Sequence, residues 1–167
     1  MGRRNYLIEG SSGAGKTTIA TELERRGYHA VHGDRVLAYQ GDPETGERVT
    51  PPPGDLDFLN DHHIWDLGKV LAILADPTHE MTFFCGGSRN WHKFIHRLDG
   101  VFLLQLDRAT LERRMDLRVN EWGSEPDERA MVMALHESGR NQPREGIRID
   151  VTRPLAEVVD TILAHCR

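Results

Sequence analysis

The 167-residue sequence predicts a three-layer α/β sandwich around a five-stranded parallel sheet, and three observations carry that expectation. Short apolar runs alternate with stretches of helical periodicity from one end of the chain to the other, the pattern of strands joined by right-handed helical crossovers. The apolar run from Met81 to Cys85 suits a strand covered on both faces. Finally, Gly10-Ser11-Ser12-Gly13-Ala14-Gly15-Lys16-Thr17 satisfies G-x-x-x-x-G-K-[ST] between an apolar strand and a helical pattern, the context that this motif requires.

Taken in order, strand one covers about Asn5 to Glu9, and a helix runs from Lys16 to about Arg26 with Ile19, Ala20 and Leu23 on one face, stopped by Gly27. Tyr28 to Val31 reads as strand two and leads into His32-Gly33-Asp34-Arg35, at the carboxyl edge where open α/β sheets place ligands. Residues 40–53 are rich in turn formers and include Pro51 to Pro53, so they read as a loop or small excursion. From about Leu56 to Leu74, Ile64, Trp65, Leu67, Val70, Leu71 and Leu74 recur at helical spacing until Asp76-Pro77, and His62 and His63 read as surface or helix-start residues.

Strand three is Met81 to Cys85, broken by Gly86-Gly87-Ser88-Arg89-Asn90. Trp91, Phe94, Ile95 and Leu98 suggest a short helix closed by Asp99-Gly100. Val101 to Leu106 is strand four, and Asp107 can cap a helix whose apolar seam is Leu111 and Met115. Arg114 and Arg118 lie one turn apart on another stripe, with Arg113 alongside. Trp122-Gly123 interrupts the pattern, Ser124 and Asp127 suggest a capped restart with Pro126 early in the new helix, and Gly139 and Pro143 end it. Ile147 to Val151 is strand five; Leu155, Val158, Val159, Ile162 and Leu163 mark the last helix.

A net charge of -5 argues against a broad electrostatic grip on nucleic acid. No apolar run approaches the roughly 20 residues of a membrane span, and no signal-peptide core opens the chain, so neither membrane nor nucleic acid is an expected partner and a cytoplasmic location follows. Monomer and homodimer both stay open. Cys85 and Cys166 are far apart and read as buried small hydrophobes. The histidines show no metal-ligand spacing, and no structural metal is expected.

The chemistry expected of the glycine-rich stretch is phosphate binding. Glycines let successive N–H groups turn inward around an anion, and the helix that starts at Lys16 adds the positive end of its dipole. Gly10, Ser11, Ser12, Gly13, Ala14, Gly15, Lys16, Thr17 and Thr18 would bind the triphosphate of ATP, with Lys16 on the β and γ phosphates and the Thr17 hydroxyl on Mg²⁺. Asp34 is the candidate to take a proton from the phosphoryl acceptor or to hold a water on Mg²⁺; its structural alternative is a helix cap. Arg35, Gly86, Gly87 and Arg89 share that sheet edge with Asp34, and Arg89 can hold a carboxylate or phosphate at two points. Arg114 and Arg118 precede a Gly- and Trp-containing break, as in a flap that brings guanidiniums onto a triphosphate.

These residues resemble the small P-loop kinases that act on nucleosides, nucleotides, shikimate, gluconate and related metabolites, over nearly the whole chain. The resemblance implies a P-loop kinase-type fold with a small lid, one domain over residues 1–167, an acceptor-site region at about 34–66 and a lid at about 113–128. His32-Gly33-Asp34-Arg35 is similar to the Gly-Asp segment of adenylate kinases and to the acidic segment of shikimate kinases; Gly86-Gly87 is similar to the turn that holds a shikimate-type acceptor. Leu111 to Arg118 looks like the lid-entry helix. Ile149 to Pro154 resembles the segment that covers the adenine ring, so Arg153 and Pro154 would contact the base. Strand three departs from the pattern: Phe83-Phe84-Cys85 lacks the acid that many such proteins place there for Mg²⁺, which leaves more to Asp34. The implied activity is a Mg²⁺-dependent ATP:small-molecule phosphotransferase, first of a nucleoside or nucleotide, alternatively of a shikimate-like metabolite or an antibiotic. From another class, a partner-dependent ATP-binding switch stays open, whereas the absence of N-K-x-D speaks against a GTPase.

Overall fold

Alternation of side chains along β1 (Arg4–Glu9) accounts for the layering. In the computed structural model, which describes residues 3–167, Tyr6 and Ile8 enter one apolar cluster and Leu7 another. A strand with apolar side chains on both faces belongs at the centre of a sheet. The sheet order is β2 (His29–His32), β5 (Met81–Cys85), β1, β6 (Gly100–Gln105), β7 (Ile147–Asp150), and every pairing is parallel. One face is covered by α1 (Lys16–Arg25) and α7 (Leu155–His165), through Ile19, Ala20 and Leu23 of the first and Val158, Val159 and Ile162 of the second. Trp65, Val70 and Phe94 cover the other. Cys85 and Cys166 are free and buried, as their spacing suggested.

The expected long helix from Leu56 to Leu74 is instead α3 (Leu56–Asp61), the short strand β4 (His63–Trp65) and α4 (Leu67–Ala75). β4 pairs antiparallel with β3 (Ala38–Gln40), which follows the one-turn helix α2 (Gly33–Val36). Within the stretch read as a loop, Gly41 bridges to Arg48, so β3 continues into a small turn. Tertiary contacts override the periodicity here. Trp65 is 1% exposed and stacks on Phe94 with ring centroids 5.8 Å apart. The side chain of buried Asn90 donates to Trp65 O (2.9 Å) and accepts from Trp65 N (3.1 Å), acting as a neighbouring strand for one residue. Asp55 and Asp66 each accept the N–H three residues on, at Phe58 and Lys69, and so cap α3 and α4. Trp65→Ala should lower stability by about 3–5 kcal/mol, as large-to-small core changes do, measured by urea unfolding. A loss below about 1 kcal/mol would show that β3 and β4 lie outside the cooperative core.

Two further expectations are corrected. Residues 91–98 form two 3₁₀ turns, Trp91–Lys93 and Ile95–Arg97, around fully buried Phe94; Trp91, Ile95 and Leu98 are only half-buried, so the expected stripe has little burial to hold a continuous α-helix. Ser124 does not cap α6 (Pro126–Ser138), whose N-cap is Glu125 without a side-chain bond. Glu128 reaches back instead, and its Oε1 accepts from Gly123 N at 3.1 Å. Asp107 does cap α5 (Arg108–Asp116), accepting from Thr110 N. Leu111, Met115 and Val132 join α5 and α6 in a small cluster of their own, apart from the two that cover the sheet. Among the described residues no helix is long and apolar enough to cross a membrane.

Candidate active site

The loop between β1 and α1 has the shape that its glycines permit. Gly13 and Gly15 have φ of +89° and +103°, a region that side chains disfavour. Gly15 is also the N-cap of α1 and offers no side-chain cap, and the first turn contains no acidic residue. The leading amides of α1 therefore face a cleft of about 990 Å³ without an internal competitor for an anion. Lys16 folds back on the loop: its Nζ donates to Gly10 O at 2.5 Å and lies 3.8 Å from Glu9 Oε1. Thr17 and Thr18 are exposed to the same cleft.

Asp34 begins α2 at the end of β2 and opens into this cleft. Its Oδ1 accepts from His63 Nε2 at 2.9 Å and from Trp65 Nε1 at 3.3 Å. Burial pushes this carboxyl up, but the His63 hydrogen bond, the Lys16 charge and the Trp65 bond outweigh it and hold it below the usual carboxylate range. His63, expected at the surface or at a helix start, lies in a strand instead. Its place in β4, opposite Gln40, turns it to Asp34, and no local signal in the sequence announces that contact.

The β5 turn forms the floor. At Gly86 a Cβ would come 3.0 Å from Asp34 Oδ1; at Gly87 it would come 2.7 and 2.8 Å from the two oxygens of Glu9. Gly87 and Arg89 line the cleft, while Gly86 lies beneath Asp34. Arg89 is tied down by its backbone, which donates to His63 O at 2.8 Å. Its guanidinium makes no hydrogen bond or ion pair among the described residues, and its Nε is buried. Burial lowers the pKa of Arg89, with Glu9 and Asp34 partly compensating. Arg35 is an exposed part of the wall.

Glu9 is the residue that motif reading passed over, although a carboxylate ending an apolar strand directly before a phosphate loop is visible in the sequence. It is 2% exposed; Oε1 accepts from Gly10 N at 2.9 Å and Oε2 has no partner. Burial pushes its carboxyl up, opposed by Lys16 and Arg89.

The two arginines chosen from α5 both reach the loop. Arg114 donates to Ala14 O (2.9 Å), Gly13 O (3.2 Å) and, from its other nitrogen, Val151 O (2.8 Å). Arg118 donates to Ser12 Oγ at 3.2 Å and to Trp122 O at 2.5 Å, linking the loop to the break before α6. His136 of α6 adds a third link, 2.8 Å from Ser11 Oγ. Arg113 turns to Thr110 instead. Arg153 lines the cleft and pairs with Glu157 at 3.2 Å, whereas Pro154 is the N-cap of α7 and not part of the wall.

No family model and no curated protein matches the sequence. Solved structures do match in shape. A shikimate kinase from Bacteroides thetaiotaomicron aligns with a TM-score of 0.64 at 13% identity, over 98% of this chain and 98% of its own. A gluconokinase from Sinorhizobium meliloti gives 0.58 at 21% identity, over 96% of this chain and 90% of its own. A sugar kinase from a Janibacter species gives 0.58 at 20%, over 98% and 94%. The chain has the fold of the small P-loop kinases.

Proposed function

We propose that this protein is an ATP-dependent phosphotransferase that moves the γ-phosphoryl group, with Mg²⁺, to a hydroxyl of a small hydroxylated anion. The observation that carries the reading is one cleft that holds three complementary parts: the uncapped amides of α1, an oriented carboxylate at Asp34, and the unpaired guanidinium of Arg89. Its volume suits a nucleotide together with a small acceptor.

Each residue then has a task that its surroundings support. Lys16, held in this structure by one carbonyl and a distant carboxylate, turns to the β and γ phosphates. Asp34 Oδ1 is occupied by His63 and Trp65, so Oδ2 is the oxygen left to take the acceptor's proton. Three carbonyl contacts make Arg114 a positioning residue that fixes the loop against β7. Arg118 bonds to Ser12 and to the break itself, and is the guanidinium that steadies charge on the transferring group. The Thr17 hydroxyl is a hard oxygen donor on the cleft, of the kind that Mg²⁺ accepts alongside phosphate and water, and would hold the ion. An ion held there would supply charge neutralisation to the phosphate oxygens. Arg153 is the wall residue nearest the role of base contact; Pro154 is not required for it.

A coupled ADP-release screen tests the proposal with nucleosides, nucleoside monophosphates, sugars, hydroxy acids and aminoglycoside- or tunicamycin-type antibiotics. Nucleotides belong in the panel because a nucleoside monophosphate also brings an anion to Arg89. ADP release well above the rate with water alone is expected for a hydroxylated anion. A rate unmoved by every acceptor would favour the partner-dependent ATPase instead.

A further inference from the structure

Buried polar atoms are nearly always paired, so those that are not point to what binds. Among the described residues, five buried side-chain atoms lack a protein partner, and four of them belong to residues that line the active cleft: Glu9 Oε2, Gln40 Oε1, Arg89 Nε and Asn141 Nδ2. The fifth, Ser88 Oγ, is on the turn beside Arg89. Two of the four are oxygens and two are N–H donors. They come from β1, β3, the β5 turn and the segment after α6, four separate parts of the chain that meet at this cleft.

We propose that Glu9 and Gln40 determine acceptor specificity by holding two hydroxyls other than the one that reacts. The inference rests on the phosphotransferase reading and adds its selectivity. Both oxygens are fixed from behind. Glu9 Oε1 is committed to Gly10 N, which leaves Oε2. Gln40 Nε2 donates to Leu59 O at 2.9 Å, which settles the amide's orientation and leaves Oε1. Only a residue without a side chain fits at position 87, since a Cβ there would fall within 2.8 Å of both Glu9 oxygens.

The partner that suits both positions is a hydroxyl. A glutamine oxygen only accepts, and a hydroxyl donates to it; a hydroxyl also serves Glu9 whether that carboxyl is ionised or protonated, because it donates and accepts. A carboxylate or phosphate is excluded at Gln40 Oε1, which only accepts, and finds donors in the cleft at Arg89 and Asn141. The acceptor class is therefore a polyhydroxylated anion: one anionic group, two recognised hydroxyls, and the reacting hydroxyl at Asp34.

The test uses four probes: D-gluconate and shikimate, which carry the anion and several hydroxyls; 3-hydroxypropionate, an anion with one; and sorbitol, hydroxyls without an anion. Each is titrated calorimetrically into the protein with a non-hydrolysable ATP analogue, and each is offered with ATP for ADP release. The wild type should bind one of the first two at least about tenfold more tightly than the last two. Gln40→Ala and Glu9→Ala should each weaken that probe by about 10- to 100-fold, mainly in KM, with KM for ATP unchanged in Gln40→Ala, while Glu9→Gln keeps most of the preference. Gln40→Ala leaves the phosphate loop untouched and decides the matter if the Glu9 variants do not fold. Equal affinity for all four probes, binding of none, or a preference unmoved in Gln40→Ala would overturn the inference. Discrimination by titration without ADP release would support it and overturn the phosphotransferase reading instead.

Discussion

Lys16→Ala should reduce acceptor-dependent ADP release by about 10³-fold or more, the scale set by removing a charge that stabilises a transferring phosphoryl group, while the protein stays folded. Stability is less at risk than the position suggests. The ammonium is 3.8 Å from Glu9, a carboxyl that burial already pushes upward and that Lys16 pulls down. Without Lys16 the carboxyl rises further and takes up a proton rather than remain a lone buried charge. A folded-state pKa above the unfolded one contributes stability that is complete below the unfolded value and is lost as pH rises through the folded value. The variant should therefore lose stability relative to wild type as pH rises above the ordinary carboxylate range, by thermal melts across a pH series. Turnover within tenfold of wild type would remove Lys16 from the transfer step and the phosphotransferase reading with it.

The expectations that held rest on local chemistry. The glycine pattern at residues 10–15, the Asp107 cap of α5 and the two-sided burial of β5 are each encoded within a few residues of where they act. The paired arginines were legible for the same reason: one helical turn apart, they share a face, and that face meets the loop.

Features that escaped reading depend on partners far away in sequence. β4 has three residues, and its capped flanking helices present one continuous periodicity; the bond from Asn90 and the stack on Phe94 that hold Trp65 extended come from the other side of β5. His63 acquires its partner only because β3 and β4 pair. Glu9 ends an ordinary strand until the neighbouring strand brings Gly87 against it. Gln40 and Asn141 come from segments with no periodicity to read. Much of the polar lining of the cleft thus comes from the ends of strands and the connections between them, as expected where a rigid sheet positions loops.

Asp34→Asn should lower kcat by about 10²- to 10⁴-fold, the range for loss of a positioned general base, with KM for ATP nearly unchanged. The amide keeps the shape and the bond to His63 but cannot take a proton. If Asp34 served chiefly as a ligand for Mg²⁺, the variant would also need far more Mg²⁺ for half-maximal activity; an unchanged requirement is expected. Equal losses in turnover and ATP affinity would make Asp34 a nucleotide-binding residue. His63 supplies the complementary experiment. Its hydrogen bond is the largest influence opposing burial at Asp34, so His63→Leu, which has no donor, should move the acid limb of kcat/KM to higher pH. The sign is fixed: wild-type Asp34 stays ionised below the usual carboxylate range, and losing a contact that favours the charged form lets burial raise its pKa. The same substitution weakens the stabilisation that ionised Asp34 gives above its unfolded pKa, and that is lost as pH falls through the folded one. An acid limb unmoved in His63→Leu, with kcat reduced, would make His63 a packing residue of β4 and leave Asp34 to be oriented by Trp65 alone.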